Sequence, residues 1–156
     1  MVTQHISTRN PLADKISLGE VRQLQPHLSA RVSKPKILLI DDDEILRDRL
    51  QMIMVRQGWD VDLAANGMDG LEKYSPKKYD VVVCDREMPG MSGDTVIPDI
   101  KKTSNGDQVV IMLSGRLPSD EERPRIGANE YVQKPLNREG EVKVLRLIEG
   151  YIKLKQ

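Results

Sequence analysis

The chain has 156 residues, enough for one well-buried domain with a little left over, and its 24 basic and 24 acidic residues cancel to zero net charge. Balanced charge argues against a nucleic-acid or membrane-surface binder, and no apolar run is long enough to span a bilayer or to core a signal peptide, so the cytosol is the expected setting. A lone cysteine, Cys84, excludes a disulfide framework, and the two histidines, His5 and His27, leave the rest of the chain without a His-based triad, a His-ligated zinc site or a phosphohistidine.

Residues 1–34 read as a polar extension. They hold five basic and two acidic residues, net +3, which leaves −3 for the remainder. That cluster is too sparse for a nucleic-acid arm. Ser17-Leu18-Gly19-Glu20 fits a capping box, and Val21, Leu24 and Leu28 share one helical face, so a short helix is predicted there, limited by Pro26. Residues 35–156 read as the folded domain. A strand over 36–41 is followed by a helix over Glu44–Gln57, whose apolar stripe is Ile45, Leu46, Leu50, Ile53 and Met54. Trp59–Ala64 alternates like a strand. Asn66-Gly67 opens a short helix that stops at Pro76. Tyr79–Asp85 is a continuous apolar strand, as expected when both faces are covered. A helix over 93–102, a strand over 108–114, a short strand over 130–133 and a last helix from Arg138 to Leu154 complete the series. Between the last two strands Pro124 should break any long helix near its second turn, which predicts a stub beginning at Pro118 or an irregular segment, and Gly140 weakens the start of the last helix. Strands alternating with helices imply right-handed βαβ units and a parallel sheet.

Several apolar runs end in polar groups. Ile37–Ile40 runs into Asp41-Asp42-Asp43, Val81–Cys84 into Asp85, Val109–Leu113 into Ser114 and Tyr131–Gln133 into Lys134-Pro135. In open parallel sheets the carboxyl ends of strands form the ligand site. The acidic pair Asp41-Asp42, Asp85 with its Met-Pro-Gly-Met-Ser-Gly turn, Ser114 before a glycine and Lys134-Pro135, in that order, resemble the receiver domain of two-component response regulators. The resemblance covers all but roughly the first 34 residues and implies a flavodoxin-like, doubly wound α/β fold, with a five-stranded parallel sheet in the order 2-1-3-4-5 and, in this chain, a short or irregular fourth helix.

The resemblance also implies roles. Asp85 would accept a phosphoryl group as an aspartyl phosphate, and charge neutralisation and positioning would do most of the catalysis. A magnesium ion would be held by Asp42 and Asp85, by the backbone carbonyl of Glu87, and by Asp41 through water. Ser114 would hydrogen-bond a phosphoryl oxygen and Lys134 would ion-pair with another. Ser114 and Tyr131 would form the switch that reports phosphorylation. Glu87 and Arg116 would flank the path of attacking water and tune the phosphoryl lifetime, as a shielding pair. Asp43 and Glu44 read as an acidic helix start favoured by the helix dipole. The implied partners are a histidine kinase or a histidine-containing phosphotransfer protein and an unidentified downstream protein. Nucleic acid and membrane are not expected, and the last helix and the 115–130 segment are the candidate faces for a homodimer. No output domain is expected after Gln156.

Four functions compete. The first is a phosphorylation-switched binding module that catalyses its own phosphorylation and dephosphorylation without being a conventional enzyme. The second is a relay intermediate. The third is a scaffold that works without phosphorylation. The fourth, from another class, is a haloacid-dehalogenase-type phosphatase, for which Asp41-x-Asp43 has the spacing. It leaves Asp85 unexplained and lacks the later acidic pair. The aspartate that carries the phosphate discriminates, Asp85 for a receiver and Asp41 for a phosphatase.

Overall fold

A computed structural model describes residues 33–156; the predicted helix within 1–34 lies outside them. Lys34–Gln156 form one compact unit. Five strands, β1 (Lys36–Ile40), β2 (Asp60–Ala64), β3 (Val81–Asp85), β4 (Val109–Ser114) and β5 (Glu130–Gln133), pair in parallel in the order β2-β1-β3-β4-β5. Between them run α1 (Glu44–Arg56), α2 (Gly67–Lys73), α3 (Gly93–Thr103) and α4 (Arg123–Ile126), and α5 (Arg138–Leu154) closes the chain. The fold is the flavodoxin-like one that the resemblance implied, with the parallel sheet that the strand-and-helix alternation predicted.

The pleat sorts the strand residues into two cores. Ile37, Leu39, Val81, Val83, Ile111 and Leu113 meet Leu46, Leu50 and Met54 of α1 and Val144, Ile148 and Ile152 of α5. The intervening residues, Leu38, Ile40, Val82, Cys84, Val110 and Met112, meet Val96, Ile97 and Ile100 of α3. β1, β3 and β4 are therefore covered on both faces, which is why they read as unbroken apolar runs. The alternating residues of β2 fit its place at the sheet edge.

Local signals fix most element starts. Asp43 caps α1, its carboxylate accepting from Leu46 N at 3.1 Å, and Asn66 caps α2 by accepting from Asp69 N at 2.8 Å. Asn137 caps α5 by accepting from Gly140 N at 2.9 Å, so the glycine that weakens the sequence pattern sits where its N–H meets the cap. Pro124 behaves differently from expectation. It lies in the first turn of α4, where its missing N–H removes no helical bond, so it opens a helix instead of breaking one. The stub accordingly begins at Arg123, not Pro118. A Ser119 turn precedes it, with Glu122 N and Arg123 N both donating to Ser119 O at 3.1 Å, and Gly127 (φ 76°) ends it. Among the described residues no helix is long and apolar enough to cross a membrane.

Candidate functional site

The carboxyl edge of the sheet gathers the polar residues that end its strands. Asp41 follows β1 and stays in the sheet's hydrogen-bonded frame, its N–H donating to Ala64 O at 3.1 Å. Its Oδ1 accepts from Asp43 N at 2.9 Å. Asp85 ends β3. Both aspartates are buried, at 0% and 1% exposure, whereas Asp42 faces solvent. Carboxylate oxygens of Asp41, Asp42 and Asp85 lie within 4.8 Å of one another. Lys134, in the cis Lys134–Pro135 unit after β5, reaches between the buried pair, its Nζ 3.0 Å from Asp41 Oδ2 and 3.1 Å from Asp85 Oδ1. Apart from this charge contact, those two oxygens have no hydrogen-bond partner among the described residues.

Such a pair is costly. Burial first, then the charge of Asp41, pushes the Asp85 carboxyl up to about 7 against the pull of Lys134. Burial works against the Lys134 ammonium, but Asp41 and Asp85 outweigh it and hold the group above the usual lysine range. Cys84 is fully buried beside them; burial, then the charges of Asp85 and Asp41, raises its thiol far above the usual range, which leaves it an inert packing residue.

The turn after Asp85 is shaped by glycines. Gly93 opens α3 directly against the strand end, its N–H donating to Arg86 O at 2.8 Å. A Cβ there would meet Asp85 O at 2.5 Å, so the close approach requires glycine. Gly90 takes a left-handed φ of 80°.

Ser114, at the end of β4, is fully buried at the same edge. Its hydroxyl lies 2.7 Å from Glu87 Oε1 and also against Arg116 O, and with a single proton it donates to one of them at a time. It makes no hydrogen bond to Asp85. Glu87 Oε2 accepts from Gly115 N at 3.2 Å. Burial raises the Glu87 carboxyl, but the bonds from Ser114 and Gly115 outweigh it and leave the group below its usual range. The carbonyl oxygen of Glu87 accepts no backbone hydrogen bond outside the regular elements among the described residues.

The expected shielding pair of Glu87 and Arg116 does not form. Arg116 turns instead to Glu122, with Nη2 3.0 Å from Oε1 and Nη1 3.3 Å from Oε2, while Glu87 is taken by Ser114 and Gly115. Tyr131 is half-buried on β5. Its hydroxyl donates to Arg123 O at 3.2 Å and the Arg123 guanidinium stands 5.1 Å over its ring. Asp43, which the Asp-x-Asp phosphatase spacing would place in the site, spends its carboxylate on the α1 cap.

Sequence reasoning missed Arg86. It is buried at 7% exposure, directly after Asp85. Its Nε and Nη2 meet Asp94 at 2.9 and 3.0 Å, Nη2 meets Glu122 Oε1 at 2.7 Å, and Nη1 donates to Arg116 O at 3.2 Å. Its partners stand 8, 30 and 36 residues away, none of them a neighbour within one helical turn or along one strand. An arginine at the end of a fully buried strand was the one available signal, since such a charge is rarely buried unpaired.

The family model of the response regulator receiver domain matches residues 37–146. The chemotaxis protein CheY of Treponema pallidum (strain Nichols) is 32% identical over 122 residues, which cover 76% of this chain and 83% of that protein. The transcriptional regulatory protein AfsQ1 of Streptomyces coelicolor is 36% identical over 107 residues, covering 65% of this chain and 45% of that protein. This chain thus spans about half the length of the transcriptional regulators it matches. Among solved structures, the response regulator TrrA of Thermotoga maritima in complex with Mg(2+)-BeF is 35% identical with a TM-score of 0.62, covering 72% of this chain and 98% of that one. The chemotaxis protein CheY4 of Vibrio cholerae superposes with a TM-score of 0.67 at 26% identity, covering 74% of this chain and 99% of that one.

Proposed function

We propose, from the premise that this chain belongs to the receiver domains of two-component response regulators, that it is a phosphorylation switch whose acceptor is Asp85. The single observation that carries this reading is the buried pair of facing oxygens, Asp41 Oδ2 and Asp85 Oδ1, which have only Lys134 between them. Two crowded carboxylates that share one lysine leave negative charge for a further cation to answer, and such under-coordinated groups cluster at functional sites.

The donor set fits a hard cation. Asp42 and Asp85 would hold magnesium directly, with the free carbonyl of Glu87, and Asp41 would act through water. When bound, the cation neutralises the crowded carboxylates and the phosphoryl oxygens. The chain's own groups do the rest. A carboxylate oxygen of Asp85 attacks phosphorus of a phosphohistidine; the O–P bond forms as the P–N bond breaks, and the imidazole leaves with the electron pair. Lys134 holds Asp85 in place beforehand and pairs with a phosphoryl oxygen afterwards. Ser114 turns its single proton from Glu87 or Arg116 O to another phosphoryl oxygen. Tyr131 gives up its bond to Arg123 O as the β4–α4 loop moves, and Glu87 and Arg116 govern access of water to the acyl phosphate.

A histidine kinase or histidine-containing phosphotransfer protein would supply the group, and a downstream protein would read the shifted population. Residues 35–156 would be the receiver and 1–34 a separate extension, working in the cytosol. The test is intact-mass measurement after incubation with magnesium and acetyl phosphate. Wild type should gain one phosphoryl mass and Asp85→Asn none. An adduct that survives in Asp85→Asn overturns the assignment.

A further inference from the structure

The segment after β4 has little to hold it. α4 has four residues, too few to stand on its own hydrogen bonds. Within 115–127 only Pro118 and Ile126 are buried. Beside single bonds from Gly115 N to Glu87 and from the Tyr131 hydroxyl to Arg123 O, it is the Glu122 carboxylate on which the charged groups converge. Oε1 accepts from Arg86 at 2.7 Å and from Arg116 at 3.0 Å, and Oε2 accepts from Ser119 N at 2.7 Å. These bonds hold the Glu122 carboxyl well below its usual range, with Arg116 the largest cause.

The two guanidinium groups come from the ends of neighbouring strands, Arg86 after β3 and Arg116 after β4. Arg86 is fixed to the sheet beside Asp85, its N–H donating to Leu113 O at 2.8 Å. Arg116 follows Ser114 by two residues, and its carbonyl oxygen accepts from Arg86 Nη1 and is one of the two acceptors, with Glu87 Oε1, open to the Ser114 hydroxyl. One carbonyl therefore joins the hydroxyl that would move to a phosphoryl group and the arginine that anchors α4.

We propose that Glu122, shared by Arg86 and Arg116, is a latch that holds the β4–α4 loop closed while Asp85 is unphosphorylated. Its trigger rests on the function proposed above. When Ser114 gives its proton to the phosphoryl group, the hydroxyl is no longer available to Arg116 O, which keeps Arg86 Nη1 as its one donor. The phosphoryl oxygens also compete with Glu122 for the exposed Arg116 guanidinium. The loop then opens and α4 shifts. Arg86 and Glu122 are positioning residues in this scheme; neither touches the reacting atoms.

Amide hydrogen exchange read by mass spectrometry tests the latch on the full chain in magnesium, with and without beryllofluoride. The variants are Glu122→Gln, nearly isosteric on the surface, and Arg86→Lys, which keeps the charge but cannot bridge Asp94 and Glu122. Without beryllofluoride, residues 115–127 should exchange roughly fivefold faster in Glu122→Gln than in wild type, and less than that in Arg86→Lys, while β1 and β3 stay as slow as in wild type. Beryllofluoride should accelerate the segment in wild type and add little in Glu122→Gln. Equal exchange of unloaded wild type and Glu122→Gln overturns the latch, and an undiminished beryllofluoride response in the variant overturns the coupling. If beryllofluoride leaves the melting temperature of wild type unchanged, the receiver reading fails and the coupling with it, and the unloaded comparison still decides the latch.

Discussion

The two sides of the carboxyl edge are held by different physics. Asp41 and Asp85 are carried by β1 and β3, strands buried on both faces, so the core dictates where their carboxylates stand. The segment 115–127 is carried mainly by polar contacts, those of Glu122 with Arg86 and Arg116, of Gly115 with Glu87 and of Tyr131 with Arg123 O, and by two buried residues, Pro118 and Ile126. The first arrangement is rigid and tolerates a bad electrostatic pairing. The second is cheap to break, as a moving part must be. A switch needs both, a fixed place for charge to arrive and a loosely held element that responds.

The largest effect should come from a single added methyl on the rigid side. Gly93→Ala drives a Cβ into the carbonyl of Asp85, so it should lower unfolding free energy by about 2–3 kcal/mol in urea denaturation. The same change at Gly115, where nothing lies within 4 Å, should fall within about 0.5 kcal/mol. If both variants unfold alike, the contrast between the two sides is wrong.

Next comes the counter-charge. Lys134→Ala leaves Asp41 and Asp85 facing each other without a cation, and the site then lacks its partner for a phosphoryl oxygen. Phosphoryl uptake from acetyl phosphate should fall by about a hundredfold in timed mass measurements. A rate within threefold of wild type would remove Lys134 from the proposed chemistry.

Acid should push the two sides in opposite directions. Asp85 keeps its proton up to about pH 7 in the fold but only to its ordinary 3.8 when unfolded. Between those values the native state binds the extra proton, so this group's contribution to stability is full below 3.8 and is lost as pH rises through 7. Melting temperature without magnesium should therefore fall over that window, and magnesium should raise it more at pH 7.5 than at pH 5. Glu122 is depressed in the fold, so what it contributes is present above its ordinary 4.5 and lost as pH falls toward its folded value. Exchange of residues 115–127, corrected for the intrinsic rate, should rise on acidification while β3 stays protected.

The same division decided what could be read from the sequence. Strand runs and the Leu46, Leu50 and Met54 part of the α1 stripe were legible because burial and period leave local marks, whereas Ile45, placed in that stripe, is 77% exposed; Asp85, Ser114 and Lys134 stood out at strand ends through the resemblance. Pro124 was misread: the same missing N–H that breaks a helix interior is harmless in a first turn, and where α4 begins depends on the Ser119 turn and on Glu122. Arg116 was assigned the wrong carboxylate because Glu87 and Glu122 are equally plausible on charge alone. Only the fold, which spends Glu87 on Ser114, separates them.

The smallest effect is a test by salt. At 1 M sodium chloride the screening length is about 3 Å, shorter than any path between exposed charges except direct contact. Arg116 is 68% exposed at its side chain and Glu122 is 24% exposed, so their pairing should weaken. Arg86, 9% exposed, is shielded from the ions and should keep its bonds to Asp94. Exchange in 115–127 should therefore rise only about two- to threefold between 0.1 and 1 M salt, with β1 and β3 unmoved. A segment indifferent to salt would be held by Pro118 and Ile126 instead of by charge. A rise matching that of Glu122→Gln would mean that Arg86, too, is within reach of solvent.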